Sequence, residues 1–223
     1  LLARALPTTM LLMGTALLLG LTVGVIAGAW QGWARESRLA RISDRLGLLI
    51  TSVPEFLLAL LLLLGPALAW RWFPVNGAQS LVPPSGTMPA LLDRLHHLAL
   101  PALSLALAIA AIVARHQRAA LTHVADALFI RAGRARGLSE ARLLWRHALR
   151  NAIAPVLTLS GVLLPALVGG AVLVERVFGW PGMGSLLVDS VLARDYHVVV
   201  GVVMLSSTAV VLGSLAADLA LLW

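Results

Sequence analysis

Five stretches of this chain are apolar over nearly, or more than, the ~20 residues that a helix needs to cross ~30 Å of hydrocarbon. They cover residues 7–30, 46–70, 95–114, 152–174 and 198–222, with polar connectors at 31–45, 71–94, 115–151 and 175–197. The pattern predicts an all-α polytopic membrane helix bundle with five spans. Small residues recur every fourth position, as Gly20, Gly24 and Gly28 on the first span and as Ala102, Ala106, Ala110 and Ala114 on the third. That spacing lets helix backbones approach closely in lipid, where packing rather than water drives association.

Charge orients the spans. The first and third connectors carry twelve arginines (35, 38, 41, 45, 115, 118, 131, 134, 136, 142, 146 and 150), and the other side carries five (4, 71, 94, 176 and 194). The positive-inside rule puts the first and third connectors in the cytoplasm, Leu1 outside and Trp223 inside. An odd number of spans from an outside start points to one further N-terminal span. The chain, opening on Leu1 and stopping within or just after an apolar run, reads as a fragment lacking both ends.

Composition then removes function classes. Hydrophobic residues make up 60% and charged residues 12%, and the mean hydropathy of +0.92 calls for lipid as solvent. All 17 basic residues are arginine, so there is no Walker A lysine to reach a nucleotide's phosphates and any ATP hydrolysis belongs to a partner. No cysteine is present, which excludes disulfides and thiolate metal sites. The arginines lie in connectors between apolar runs, so topology accounts for them and nucleic acid is not expected as a partner. His-Glu-x-x-His, Gly-x-Ser-x-Gly and paired acids at a span end are all missing, against a membrane enzyme. An ion-driven transporter or channel would carry charges in several spans. Here Glu55, beside Pro54, is the clear mid-span acid and a candidate for the translocation pathway, with a hydrated structural role as the alternative; Asp218 near the last span's end reads as interfacial or ion-paired. His96 and His97 point about 100° apart on a helix and make no chelating pair, so no metal or cofactor is expected on this chain.

Two connectors have structure of their own. In 115–151, alanine, arginine and leucine favour helix, Gly137 can close one helix in a left-handed turn and Ser139 can cap the next. Leu143, Leu144 and Ala148 share an apolar face there, with Arg142, Arg146 and Arg150 on another. In 175–197, Trp180-Pro181-Gly182 reads as a tight turn and 185–193 as a short amphipathic helix, so Trp180 and Met183 join Glu55 as pathway candidates.

The run Arg-Ala-Gly-Arg-Ala-Arg-Gly-Leu-Ser at 131–139, with Leu-Trp-Arg-His-Ala-Leu-Arg-Asn-Ala-Ile-Ala-Pro at 144–155, resembles the EAA-type loop of ABC importer permeases of the dipeptide, oligopeptide and nickel branch. Gly169-Gly170, Val174 to Gly184, Leu187-Val-Asp189, Ala193 to Tyr196, and His97 to Pro101 are similar to the same branch. Arg131-Ala132-Gly133 stands where Glu-Ala-Ala names the loop, and Leu128-Phe129 replaces an acidic-aromatic pair. The resemblance implies a single permease domain over 1–223, holding five of the six spans expected in the full protein, with 115–151 as its cytoplasmic coupling loop. A coupling helix at about 131–145 would dock on an ATPase through Arg131, Arg134, Arg136, Gly137, Leu138 and Ser139, with Leu143 and Leu144 among its apolar anchors. Implied partners are a second homologous permease, two cytoplasmic ATPase subunits that hold ATP and Mg, a periplasmic solute-binding protein and the lipid of the bacterial inner membrane. The solute would be a small peptide, nickel or a related compound.

Overall fold

The computed structural model describes residues 1–82 and 84–221, apart from the side chains of 164–167, 169–170, 216–218, 220 and 221. Asp218 and the Gly169-Gly170 pair therefore lie outside the described side chains. All regular structure among the described residues is helical: α1 Leu2–Trp33, α2 Arg38–Ser52, α3 Glu55–Leu62 continuing as a π-helical turn Leu63–Ala69, and α4 Thr87–Ala125. Then come α5 Leu128–Ala135, α6 Glu140–Arg142, a second π-helical segment Leu143–Ala148, α7 Leu149–Ala152, α8 Ala154–Val177, α9 Met183–Leu192 and α10 Tyr196–Leu221.

Among the described residues three helices, α1, α4 and α10, are long and apolar enough to cross a membrane, or four crossings if α2 and α3 with its π turn count as one broken span. The expected single span at 46–70 is thus interrupted. Pro54 has no N–H to donate and disfavours helix at the residue before it, so α2 stops at Ser52 and Pro54 takes the N-cap place of α3 with ψ 141°. Farther on, Pro66 sits in the π turn, where Trp70 N–H bonds the Gly65 carbonyl five residues back at 3.0 Å. In α4, Pro89 falls in the first turn, whose N–H groups lack partners in any helix, so it does no harm there.

The chain forms two compact units. The first contains Leu1–Leu18, Val53–Ala106 and Leu164–Gly213, and the second Leu19–Ser52, Leu107–Leu163 and Ser214–Trp223. In the first, Ala5, Met183 and Val202 make a small core flanked by Leu2, Leu6 and Leu187. A cavity of about 580 Å³ lies between α1, α8, α9 and α10, lined among others by Met10, Met13, Val172, Met183 and Val203. The segment before α4 is tied down by Ser80 N–H on the Asp93 carboxylate (2.8 Å) and by Gly77 N–H on the Phe178 carbonyl (3.0 Å).

In the second unit the small-residue spacing does what its pattern predicts. A Cβ on Gly24 would stand 2.6 Å from Val113 Cβ, and one on Gly28 would run into the Ala114 carbonyl. Below this contact Gln117 is fully buried, and its Nε2 donates to the Ala152 carbonyl at 3.2 Å. Val156 N–H, which would serve that carbonyl in a continuous helix, bonds Ile153 instead, because Pro155 resets the chain at the start of α8. The core around it is Ala29, Leu121, Ile130, Leu144, Ala148 and Ala152, with Trp33 and Leu149 packed on its rim.

Candidate functional site

The basic connector lies wholly in the second unit. Its first residues extend α4 to Ala125, and the rest folds as α5, a turn, and the α6–π–α7 rod. Gly137 has φ +80°, a left-handed value that costs glycine nothing. Leu138 N–H reaches back to the Gly133 carbonyl at 3.1 Å, and Gly137 N–H to Arg134 at 3.0 Å, which closes α5. Ser139 then caps α6, its Oγ accepting from Arg142 N–H at 3.4 Å.

The two faces of this loop go to different places. Ile130 and Gly133 are buried on α5; Leu143, Leu144 and Ala148 are buried on the rod. A Cβ on Gly133 would lie 2.7 Å from Leu143 Cδ2, so the two segments are in tight contact. Leu143 (1% exposed) and Leu144 (8%) are therefore core residues of this chain, not outward anchors. Their burial is worth about 1.5–3 kcal/mol each to the fold, and a partner cannot use the same atoms. Leu138 is half-buried against Gly133.

The outward face carries Leu128 (81% exposed), Phe129 (46%) and Trp145 (48%). Leu128, Ala132 and Ala135 follow one another at helical spacing on α5 and are all exposed, with Arg131 and Arg136 beside them. Those two arginines form no ion pair among the described residues. Arg134 is engaged within the loop: it grips Glu140 with Nε at 2.6 Å and Nη2 at 2.9 Å, and its guanidinium lies 6.0 Å from the Trp33 ring centroid. The hydrogen bond from Arg134 holds the Glu140 carboxyl below its usual range. Asp126 is lowered likewise by Arg35, which binds it through two nitrogens at 2.9 and 3.1 Å. Both acids are ionised at neutral pH, and the loop is braced at its start and at its turn.

Of the pathway candidates, Trp180 and Met183 come together in the first unit while Glu55 stands apart. Glu55 occupies the first turn of α3, half-exposed, and is not among the residues lining the cavity. Trp180 is 2% exposed, its indole N–H donating to the Thr8 carbonyl at 3.1 Å. Met183 lines the cavity.

Reading the sequence for charges in spans missed Glu175. Its carboxylate is fully buried and accepts from Thr9 Oγ1 at 2.6 Å and from Ser185 N–H at 2.9 Å. Thr9 Oγ1 in turn accepts Met183 N–H at 2.7 Å, and the Glu175 carbonyl takes Trp180 N–H at 2.8 Å. Side chains on Gly182 or Gly184 would occupy the space of the carboxylate. The sequence does carry the signal: an acid followed by a Gly-x-x-Gly-x-Gly run, where bare backbone leaves room and N–H groups for an anion. Thr9, Glu175 and Ser185 thus bind the start of α1, the end of α8 and the start of α9 into one node.

The histidines have local work. His97 Nδ1 pairs with the Asp93 carbonyl and His96 Nε2 with the Trp72 carbonyl, both at 2.8 Å. Among the described residues no group of three or more His, Asp or Glu is placed to hold a metal ion.

Comparison with known proteins puts this geometry in a family. Residues 20–223 match the family described as binding-protein-dependent transport system inner membrane component. The oligopeptide transport system permease protein OppB of Mycobacterium bovis is 40% identical over 224 residues, covering 97% of this chain and 68% of that protein. AppB of Bacillus subtilis, also an oligopeptide transport system permease protein, is 36% identical over 214 residues, 96% of this chain and 66% of its own length. The chain thus spans about two thirds of these relatives. Its fold is that of a chain in the inward-facing MetNI methionine ABC transporter, with a TM-score of 0.79 at 18% identity over 99% of this chain and 94% of that one. This chain belongs to the family of inner-membrane components of binding-protein-dependent transport systems, as a permease distinct from the ATPase subunit.

Proposed function

We propose that this chain is a transmembrane subunit of an ATP-driven importer that moves small peptides across the bacterial inner membrane, coupled to its motor through the outward face of α5 and the rod after it. The observation that carries the reading is that face: Leu128, Phe129 and Trp145 exposed on a braced, arginine-rimmed loop of a chain with no lysine to bind nucleotide itself. A stiff bundle can be driven by a separate ATPase only through a packed contact that transmits force. The loop supplies an apolar centre and charged rim of the kind that fits a groove on another protein.

Four crossings are assigned to α1, α4, α8 and α10, and a fifth to α3 with its π turn, entered at the Pro54 break after α2, within the six-span plan that the resemblance implies. α8 has 24 residues, about 36 Å of helix. The arginine distribution sets 31–45 and 115–151 in the cytoplasm, where two ATPase subunits would meet the loop. A second homologous permease would complete the pathway and a periplasmic binding protein would deliver the solute. Peptides are favoured over nickel because the relatives are named for oligopeptides and no ligand cluster appears among the described residues.

Co-expression with the neighbouring ATPase genes tests this. Leu128→Asp and Trp145→Asp should insert and fold normally, yet lose ATPase co-purification and peptide uptake by at least tenfold. Full retention of the ATPase by both variants would refute the docking face.

A further inference from the structure

The helix α2 (Arg38–Ser52) has three sides, and only one of them meets the rest of the second unit. At 3.6 residues per turn, Ala40, Ser43, Asp44 and Gly47 share an arc. This arc packs inward: Ala40 is 2% exposed, Gln31 Nε2 donates to Ser43 Oγ at 2.9 Å, and Arg118 pairs with Asp44. The inward side is therefore small and polar, and the leucines are elsewhere. Leu39, Ile42, Leu46 and Leu49 form a second arc, each between 52% and 67% exposed. Arg38, Arg41 and Arg45 form a third arc next to it, exposed and without an ion pair among the described residues.

A helix surrounded by water would turn its leucines inward, and a crossing helix would not carry three unpaired arginines. With 15 residues, α2 is also only about 22 Å long, too short to cross alone. The one environment that suits adjacent apolar and cationic arcs is the boundary between acyl chains and headgroups, where leucines insert and guanidiniums reach phosphate level. Arginine binds phosphate oxygens in a two-pronged fashion. We propose that α2 lies in the membrane interface and binds anionic phospholipid headgroups through Arg38, Arg41 and Arg45.

These 223 residues contain no cysteine, so, with any cysteine in the rest of the chain or in the co-purifying subunits replaced by serine, Leu46→Cys gives a unique attachment point for an environment-sensitive fluorophore. The natural full chain, with its co-purifying subunits, is placed in nanodiscs of phosphatidylcholine with or without phosphatidylglycerol. The label should be quenched by lipids brominated near the headgroup and shielded from aqueous iodide. Brominated phosphatidylglycerol should quench more than brominated phosphatidylcholine, and added salt should shrink that preference. Replacing all three arginines by glutamine should reduce the preference by about fivefold per residue, on the order of 100-fold together. Quenching by iodide, or by neither agent because a protein partner covers the helix, would overturn the proposal. So would an unchanged phosphatidylglycerol preference in the triple variant. Should that variant fail to assemble, the label on the native-arginine protein decides the matter alone.

Discussion

At the scale of single residues, Glu175 matters for the partners it has. Thr9 Oγ1 and Ser185 N–H both donate, and a carboxylate, which only accepts, fits them without conflict. An amide would turn its NH2 toward a donor on one side. Glu175→Gln should therefore lower stability by about 1–3 kcal/mol, read as a fall in thermal midpoint of the detergent-solubilised protein; an unchanged midpoint would mean that the node is incidental. Leu143 teaches the opposite lesson. Its apolar face with Leu144 and Ala148 was legible from spacing alone, but its destination was not. Spacing says which residues share a side, and only the packing of Gly133 against Leu143 says that this side turns toward the chain's own core. Leu128 and Trp145 are the residues left outside, and the proposed docking role falls to them. Glu175 escaped notice because it follows a long apolar run and reads as the first residue of a connector.

At the scale of elements, local chemistry was well announced. Gly137 and Ser139 act within three or four residues of themselves, so the helix–turn–helix of the loop could be read directly. The break at Pro54 has the same local character, although one span over 46–70 was the expectation and a stop at Ser52 is what occurs. The ion pairs were not readable, since Arg35 and Asp126 are 91 residues apart. Their consequence is a pH dependence. Asp126 and Glu140 have lowered values in the folded loop, so their pairing contributes fully above the unfolded carboxylate range and is lost as pH falls through the folded values. Limited proteolysis near Arg136 should be slow at neutral pH and quicken below about pH 4. Cleavage that is equally fast at pH 5 and pH 3 would show that these pairs do not brace the loop.

At the scale of the whole molecule, the inner-membrane permease assignment was legible because several motifs recur in order along the entire chain. Span counting was less so. α1, α4 and α10 stand out by length and hydropathy, whereas the apolar stretch at 46–70 is divided between two helices bent by 105° at Pro54. The division of labour is nonetheless clear within each unit. The first unit holds the cavity and the Glu175 node, and the second holds the basic loop and α2 with its exposed leucine and arginine arcs.

The central claim is that the outer face of α5 grips a separate motor. It is tested most directly by replacing Ala132, exposed on that face, with a photo-reactive phenylalanine analogue in the intact complex and identifying what it captures. The account predicts a covalent adduct with the ATPase subunit. Capture of the periplasmic binding protein, or of lipid alone with the ATPase present in the complex, would contradict it.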